Sequence, residues 1–351
     1  MAECREADLK KKMEADNLSG VYFLYGEEKY MVAHWAHRLI KKAAGKEFLD
    51  FNLQQFAGDV TADDLDDAVQ ALPLMAERKC VSVSDLTLEG RTPAENKKLL
   101  ELLRNVPEST VLVLYFASSS PEIRKDKKWK SVFAACMEQG TCVQCAQRTQ
   151  TELEKLLMRT AEKRGCRLAR PEANQIYRYV GNNMTALLNE MEKVCAFAGS
   201  GDISPGMIDQ MVTRNLETRI FDLSRALLAG QHDRAYQILN QLLEQNEEPV
   251  RILAVLSGAY IDLYRVRTAL QSGETALEPA AHFEEYKRRE FRLTNAERDI
   301  RHLSTQKLRQ SLDVLLQADL DLKGSRTDSR IILERTLTRL MLIAGGEEEN
   351  A

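Results

Sequence analysis

The chain has 351 residues, enough for two or three domains with a large core. Its 49 basic and 53 acidic residues leave a slightly negative charge, which argues against a protein that grips nucleic acid alone through bulk electrostatics and leaves room only for a local basic patch or a partner's patch. Seven scattered cysteines, an odd number, fit a reducing cytosol better than a disulfide framework, and no apolar run approaches the roughly 20 residues of a membrane span.

The stretch from Met1 to Asn17 is charged throughout and does not read as a signal peptide. Val21-Tyr-Phe-Leu-Tyr25 is an apolar, aromatic run that predicts a strand ending at Gly26. A helix is predicted from about Lys29 to Ala44, and a second strand over Asn52–Phe56. Thr61 with Asp64 caps a helix running to about Leu72. Cys80–Ser84 is the third strand. Thr92, Pro93 and Glu95 read as the N-cap, N1 and N3 of the next helix. Val111–Phe116 is the strongest strand, continuous enough to be buried on both faces. Ser120-Pro121 predicts the start of a basic helix to about Met137, and Thr141–Cys145 closes a fifth strand. Strands alternating with helices imply a parallel sheet covered on both sides, over about residues 1–145.

Beyond Gln150 the strand signals vanish. Thr151 with Glu154 predicts a capping box for a helix that ends at Gly165. Further helices are predicted over Pro171–Val180, Met184–Ala198 and from Ser204-Pro205, forming a small helical block over 146–215. A third, also helical, block covers 216–345. Its helices are Phe221–Leu228, His232–Leu243, Pro249 to about Gln271, one begun by a Thr294/Glu297 capping box, Ser304–Lys323, and one begun by Asp328. Leu308, Leu312, Leu315 and Leu316 share one predicted stripe, and Leu333, Leu337 and Leu340 another. Glu347–Glu349 reads as a solvated end.

Several motifs invite chemistry. A nucleotide-binding strand-to-helix turn would read G-x-x-x-x-G-K-[ST]. Here the turn reads Gly26-Glu27-Glu28-Lys29-Tyr30. It has one glycine, two carboxylates that would repel a triphosphate, and no Ser or Thr after the lysine to hold magnesium. Asp85 follows the third strand where a Walker-B acid would stand, but Leu86 comes next, and Asp85 reads as a turn residue. Cys142 and Cys145 fall on opposite faces of a strand, so a shared metal is disfavoured and both read as structural. The basic stretch Glu122–Lys130 and the loop Lys323–Arg326 read as solvated faces that could touch phosphate. No Ser/His/Asp or Cys/His set stands out among the five histidines. In Leu72-Pro-Leu-Met-Ala-Glu-Arg-Lys79, Pro73 ends the preceding helix and leaves Leu74 and Met75 side by side before a strand. On the residues alone, the pair reads first as plugs of the domain's own core. The second reading is an exposed apolar knob for a partner's pocket.

Tyr22-Phe-Leu-Tyr-Gly26-Glu-Glu-Lys-Tyr30, Asp50-Phe51-Asn52 with Phe56, and Leu72–Lys79 together resemble the delta subunit of the bacterial DNA polymerase III clamp loader. So do Asn189–Val194, Phe221–Leu223, Glu248–Leu253 and Ala318–Gly324. The resemblance runs from about residue 20 to 343. It implies an α/β plus all-α chain: an AAA+-like domain with a five-stranded parallel sheet and no P-loop (1–145), a small helical lid (146–215) and a helical collar (216–345). It implies a subunit with no catalysis of its own and no cofactor, with Gly26, Glu27 and Glu28 standing where ATPase subunits keep their P-loop. It also implies a cytoplasmic location. The implied partners are the sliding clamp (beta), the ATPase and delta-prime subunits through the collar, and primer–template DNA within the assembly, with no membrane. In the family two adjacent apolar residues, often aromatic, enter a pocket of the clamp and favour its open ring. They map onto Leu74 and Met75, which tips the expectation towards the exposed knob. The alternatives are another ATP-independent clamp-loader subunit such as delta-prime, a degenerate NTPase, or a thiol enzyme using Cys142 and Cys145.

Overall fold

A computed structural model describes residues 4, 6–45, 48–287, 289–300 and 303–346. The acidic stretch Glu347–Glu349 lies outside the described residues. The backbone contacts group the chain into two units, one of residues 1–157 with 182–188 and one of residues 158–181 with 189–351.

The first unit carries, in chain order, α1 (Glu6–Glu14), β1 (Gly20–Gly26), α2 (Lys29–Ala44), α3 (Leu49–Asn52), β2 (Leu53–Ala57), α4 (Ala62–Gln70), β3 (Lys79–Ser84), α5 (Pro93–Arg104), β4 (Thr110–Tyr115), α6 (Lys127–Gln139), β5 (Gly140–Cys145) and the start of α7 (Gln150–Lys163). The five strands are all parallel, in the order β2-β3-β4-β1-β5. Alternation along β1 divides the core. Val21 and Phe23 face one layer with Leu65, Leu99, Leu112 and Val132, under α4, α5 and α6. Tyr22 and Leu24 face the other with Val32, Trp35, Leu39 and Val113, under α2. Each such fully buried side chain contributes about 1.5–3 kcal/mol before entropy is subtracted.

Caps account for several helix starts. Asp64 N–H donates to Thr61 Oγ1 at 3.1 Å, and Thr92 with Glu95 forms the predicted capping box. The basic helix, by contrast, begins at Lys127 rather than at Pro121. The Asp126 carboxylate accepts from Lys128 N–H at 2.6 Å and Trp129 N–H at 3.2 Å, and a nearby carboxylate cap outcompetes Ser120. The cap of α7 is Thr149 with Glu152, not Thr151 with Glu154. Both pairs have the same spacing, but Glu154 is buried and accepts from Gln150 Nε2 at 2.8 Å.

The second unit begins within α7 and continues with β6 (Cys166–Arg167), α8 (Arg170–Val180), most of α9 (Met184–Ala198), β7 (Gly201–Asp202) and α10 (Pro205–Met211). The short β6–β7 pair escapes sequence reading because two residues carry no period. Then follow α11 (Leu216–Leu228), α12 (His232–Glu244), α13 (Pro249–Gln271), α14 (Pro279–His282), a 3-10 turn (Glu284–Tyr286), α15 (Phe291–Asp299), α16 (Thr305–Gly324) and α17 (Ser329–Gly345). These helices enclose one apolar core around α13, which includes Leu256, Leu263, Leu308, Leu333 and Leu337. Three expectations fail here. The helix predicted from Phe221 starts five residues earlier, at Leu216, because the Asn215 side chain caps it by accepting from Thr218 N–H at 2.8 Å. Thr294 lies inside α15, which starts three residues earlier, and Leu316 is 60% exposed, because 3.6-residue periodicity carries it past the buried Leu308/Leu315 stripe. Asp262 is buried on α13. It accepts from Tyr286 Oη at 2.7 Å and Arg292 Nε at 2.8 Å, which ties α15 and the turn before it to the central helix. Burial raises the Asp262 carboxyl in spite of these bonds. Among the described residues no helix is long and apolar enough to cross a membrane.

Candidate functional site

Two loops of the first unit carry the sequence-derived candidates. The β1–α2 turn holds Gly26, Glu27 and Glu28. Gly26 has φ +147°, and a Cβ there would lie 2.0 Å from the Cys145 carbonyl oxygen. Its glycine character therefore serves the close approach of β5, with which Gly26 is in register. Two residues on, an amide that a phosphate could have used, Glu28 N–H, donates to the same Cys145 oxygen at 3.2 Å. Glu28 is itself buried, and burial pushes its carboxyl up against the opposing pull of the Tyr30 N–H.

Lys29 turns to the protein rather than outward. Its ammonium donates to the Phe116 carbonyl at 3.2 Å, to Ser120 Oγ at 2.7 Å and to the Ser119 carbonyl. Burial pulls the lysine down from its ordinary range, partly offset by Asp85. Asp85 caps the neighbouring loop. It accepts from Ser118 N–H at 2.9 Å, Ser119 N–H at 2.7 Å and Ser119 Oγ at 2.8 Å. Burial works against its ionisation, but these hydrogen bonds outweigh it and hold the carboxyl below the usual range. Asp85 is thus a turn residue, as its sequence context suggests.

The α4–β3 loop, Leu72 to Arg78, differs in kind. Leu72, Leu74 and Met75 are 85%, 45% and 78% exposed. Leu74 and Met75 are not core plugs. The loop beneath them is pinned at several points. At its start the last carbonyls of α4 are taken, Val69 by Thr110 Oγ1 at 3.0 Å and Ala68 by the buried Lys79 ammonium. In its middle Asn52 holds Leu74 by two bonds. Leu74 N–H donates to Asn52 Oδ1 at 2.8 Å, and Asn52 Nδ2 donates to the Leu74 carbonyl at 2.9 Å. At its end Arg78 binds Asp16 through the carboxylate at 2.6 Å and the carbonyl at 3.0 Å. The Arg78 hydrogen bond, against a small burial effect, holds the Asp16 carboxyl low.

The remaining candidates are structural. Cys142 and Cys145 lie in the cores of opposite sheet faces. Burial pushes Cys145 up to about 12, which leaves the thiol protonated and unreactive. Among the described residues no group of His, Cys, Asp and Glu could hold a metal. Trp129 of the basic stretch meets Phe116 edge-on with ring centroids 5.3 Å apart and is half-buried against the core, which accounts for an aromatic residue in that stretch without a base to stack on. In the other basic loop Lys323 pairs with Asp319 at 2.7 Å. The groove between α4 and α5 is lined by Asp63, Asp66 and Glu101 beside Lys98, which pairs with Asp63 at 2.8 Å, an acidic setting unsuited to phosphate. In the sequence Asn52 stands out only as part of the Asp50-Phe51-Asn52 motif. The signal it offered was an amide side chain at a turn before a strand, the residue type that brackets backbone groups.

Residues 22–145 match the family model described as DNA polymerase III, delta subunit, and residues 217–340 match that of the DNA polymerase III delta subunit, C-terminal domain. Together the two matches span well over half of the chain. The DNA polymerase III subunit delta of Bacillus subtilis is 25% identical over 340 residues, covering 95% of this chain and 96% of that protein. The Escherichia coli subunit of the same name is 24% identical over 310 residues, covering 88% and 87%. The solved structure of the Bacillus subtilis DNA clamp loader delta protein superposes with a TM-score of 0.60 at 23% identity, covering 95% of this chain and 99% of that one, and shares its AAA+-like fold.

Proposed function

This chain belongs to the DNA polymerase III delta-subunit family, and on that premise we propose that it is a non-catalytic clamp-loader subunit that docks on the sliding clamp through Leu74 and Met75 and favours the clamp's open ring. The observation that carries the reading is the exposure of two adjacent apolar side chains on a loop whose backbone is fastened on both sides of them. Exposed apolar side chains on a fixed backbone are what a partner pocket needs. They gain burial on docking and lose little freedom.

The mechanism is differential binding. The subunit opens a ring only by as much as its contacts prefer the open form to the closed one. Energy enters through ATP on sister subunits, which expose or hide the knob. The β1–α2 turn supports a subunit without ATP chemistry of its own, since its lysine and the amide of its N-cap residue, Glu28, are already engaged by the protein. In this reading 1–145 is the clamp-facing module, 146–215 a helical lid and 216–345 the collar that joins the ATPase and delta-prime subunits, with primer–template DNA held by the assembly.

Co-elution of the purified chain with the sliding clamp in the absence of ATP is the test. A stable complex supports the reading. A folded chain that fails to bind the clamp at micromolar concentrations refutes it.

A further inference from the structure

The knob loop has no regular secondary structure between α4 and β3, yet Leu74 is bonded as tightly as a residue in a sheet. A carboxamide carries an acceptor and a donor in one plane. Asn52 uses one of each on the two backbone groups of a single residue, at 2.8 and 2.9 Å, across 22 positions of sequence. Asn52 is 1% exposed, although Phe51 beside it is exposed. Its place is fixed in turn, because it ends α3 and leads into β2, which pairs with β3. The residue after Leu74 needs such support. Met75 has φ +50°, in the left-handed region that a side chain with a Cβ adopts only where its surroundings dictate it.

We propose that Asn52 is the positioning residue of the docking knob, holding the Leu74 backbone so that Leu74 and Met75 are presented in one preformed arrangement. The proposal rests on the reading that this pair docks on the clamp. A knob without the bracket samples many loop conformations and must be ordered at the moment of binding, which weakens the complex without removing any contact. No other side chain reproduces the bracket. Alanine removes both bonds. Aspartate keeps the acceptor for Leu74 N–H but sets a carboxylate against the Leu74 carbonyl. Glutamine is longer by a methylene and misplaces both atoms.

The experiment uses the full chain and measures clamp dissociation constants for wild type, Asn52→Ala, Leu74→Ala/Met75→Ala and the triple variant, together with hydrogen exchange at the Leu74 amide. Asn52→Ala is expected to weaken clamp binding about tenfold, from the two hydrogen bonds lost. It should also expose the Leu74 amide to exchange. In the Leu74→Ala/Met75→Ala background, removing Asn52 should change affinity by less than about twofold, because there is no knob left to position. A residue that only supports folding would weaken both backgrounds alike, and that result overturns the proposal. If the knob variant is weakened but Asn52→Ala is not, the positioning role fails and the docking reading stands. If wild type and the knob variant bind the clamp equally, the docking reading fails and takes the proposal with it. Should the alanine variant not fold, Asn52→Ser, whose shorter hydroxyl reaches neither Leu74 group yet leaves a polar side chain in the buried site, answers the same question with the same expected weakening.

Discussion

The β1–α2 turn and the α4–β3 loop sit at ends of the same parallel sheet, and both have their backbone groups bonded within the protein. They differ in what they leave for a partner. In the first, Lys29 is drawn onto the Phe116 and Ser119 carbonyls and Glu28 is buried. In the second, the polar bonds are made underneath by Asn52, Lys79 and Arg78, while Leu74 and Met75 project. A loop is made receptive by which of its groups remain unspent after the fold has taken its share. By that measure a charged turn can be closed to ligands and an apolar loop open to them.

The largest effect expected from this contrast is in the knob. Leu74→Ala/Met75→Ala should lose about 2–4 kcal/mol of clamp affinity, roughly 30-fold to nearly 1000-fold, with little change in melting temperature. Titration calorimetry and a melt on the same sample check both halves. A folded variant with unchanged affinity would break the contrast at its open end. Next comes Gly26→Ala, whose new Cβ would lie 2.0 Å from the Cys145 oxygen. We expect a loss of about 2–4 kcal/mol in the stability of the first unit, read from denaturant unfolding, with the β1–β5 end opening first in hydrogen exchange. A neutral result would mean that the turn is looser than its bonds suggest.

How much of this was legible beforehand varies with range. The strands and most helix starts carry local signals, such as the Thr61 and Thr92 caps or the apolar run of β4, and these predicted elements agree with the structure to within one or two residues. The start of α6 was misplaced because two cap candidates, Ser120 and Asp126, compete and only packing decides between them. The exposure of Leu74 and Met75 was not written in the residues themselves, since adjacent apolar residues in a loop suit a core equally well. Their mapping by family resemblance tipped the balance. Asn52 was invisible as a bracket, because a bond across 22 residues leaves no period and no spacing rule.

Smaller effects sharpen the closed end. Wild type should show no saturable micromolar binding of labelled ATP with magnesium in equilibrium dialysis. Lys29→Met should cost about 1 kcal/mol of stability by freeing the Phe116 and Ser119 carbonyls. ATP binding that disappears on changing Gly26 or Lys29 would erase the distinction between the two loops. The smallest effect is one of pH. The Asp16 carboxyl is held below its ordinary 3.8 by Arg78, so its contribution is complete above that value and is lost as pH falls through the lower folded value. Below about pH 4 the anchor at Arg78 should loosen, by under 1 kcal/mol because the pair is exposed. Arg78→Ala should reduce this acid sensitivity to what the second partner, Lys42 at 3.3 Å from the Asp16 carboxylate, sustains, and acid titration of exchange in the loop would reveal a failure.

The close approach of Gly26 to Cys145 has a bearing on reversibility. From Gly26 to Lys29 the chain takes three steps, where a phosphate loop takes about six from its first glycine to its lysine. Swapping residues cannot restore that length. New residues would have to enter between a glycine wedged against the Cys145 oxygen and an amide bonded to the same atom. Any insertion therefore unzips the end of the β1–β5 pair before it shapes a cradle for phosphate. Conversion of this turn into a nucleotide site is barred by chain length, as a ratchet bars a wheel, and neutralising Glu27 and Glu28 would leave the pawl in place.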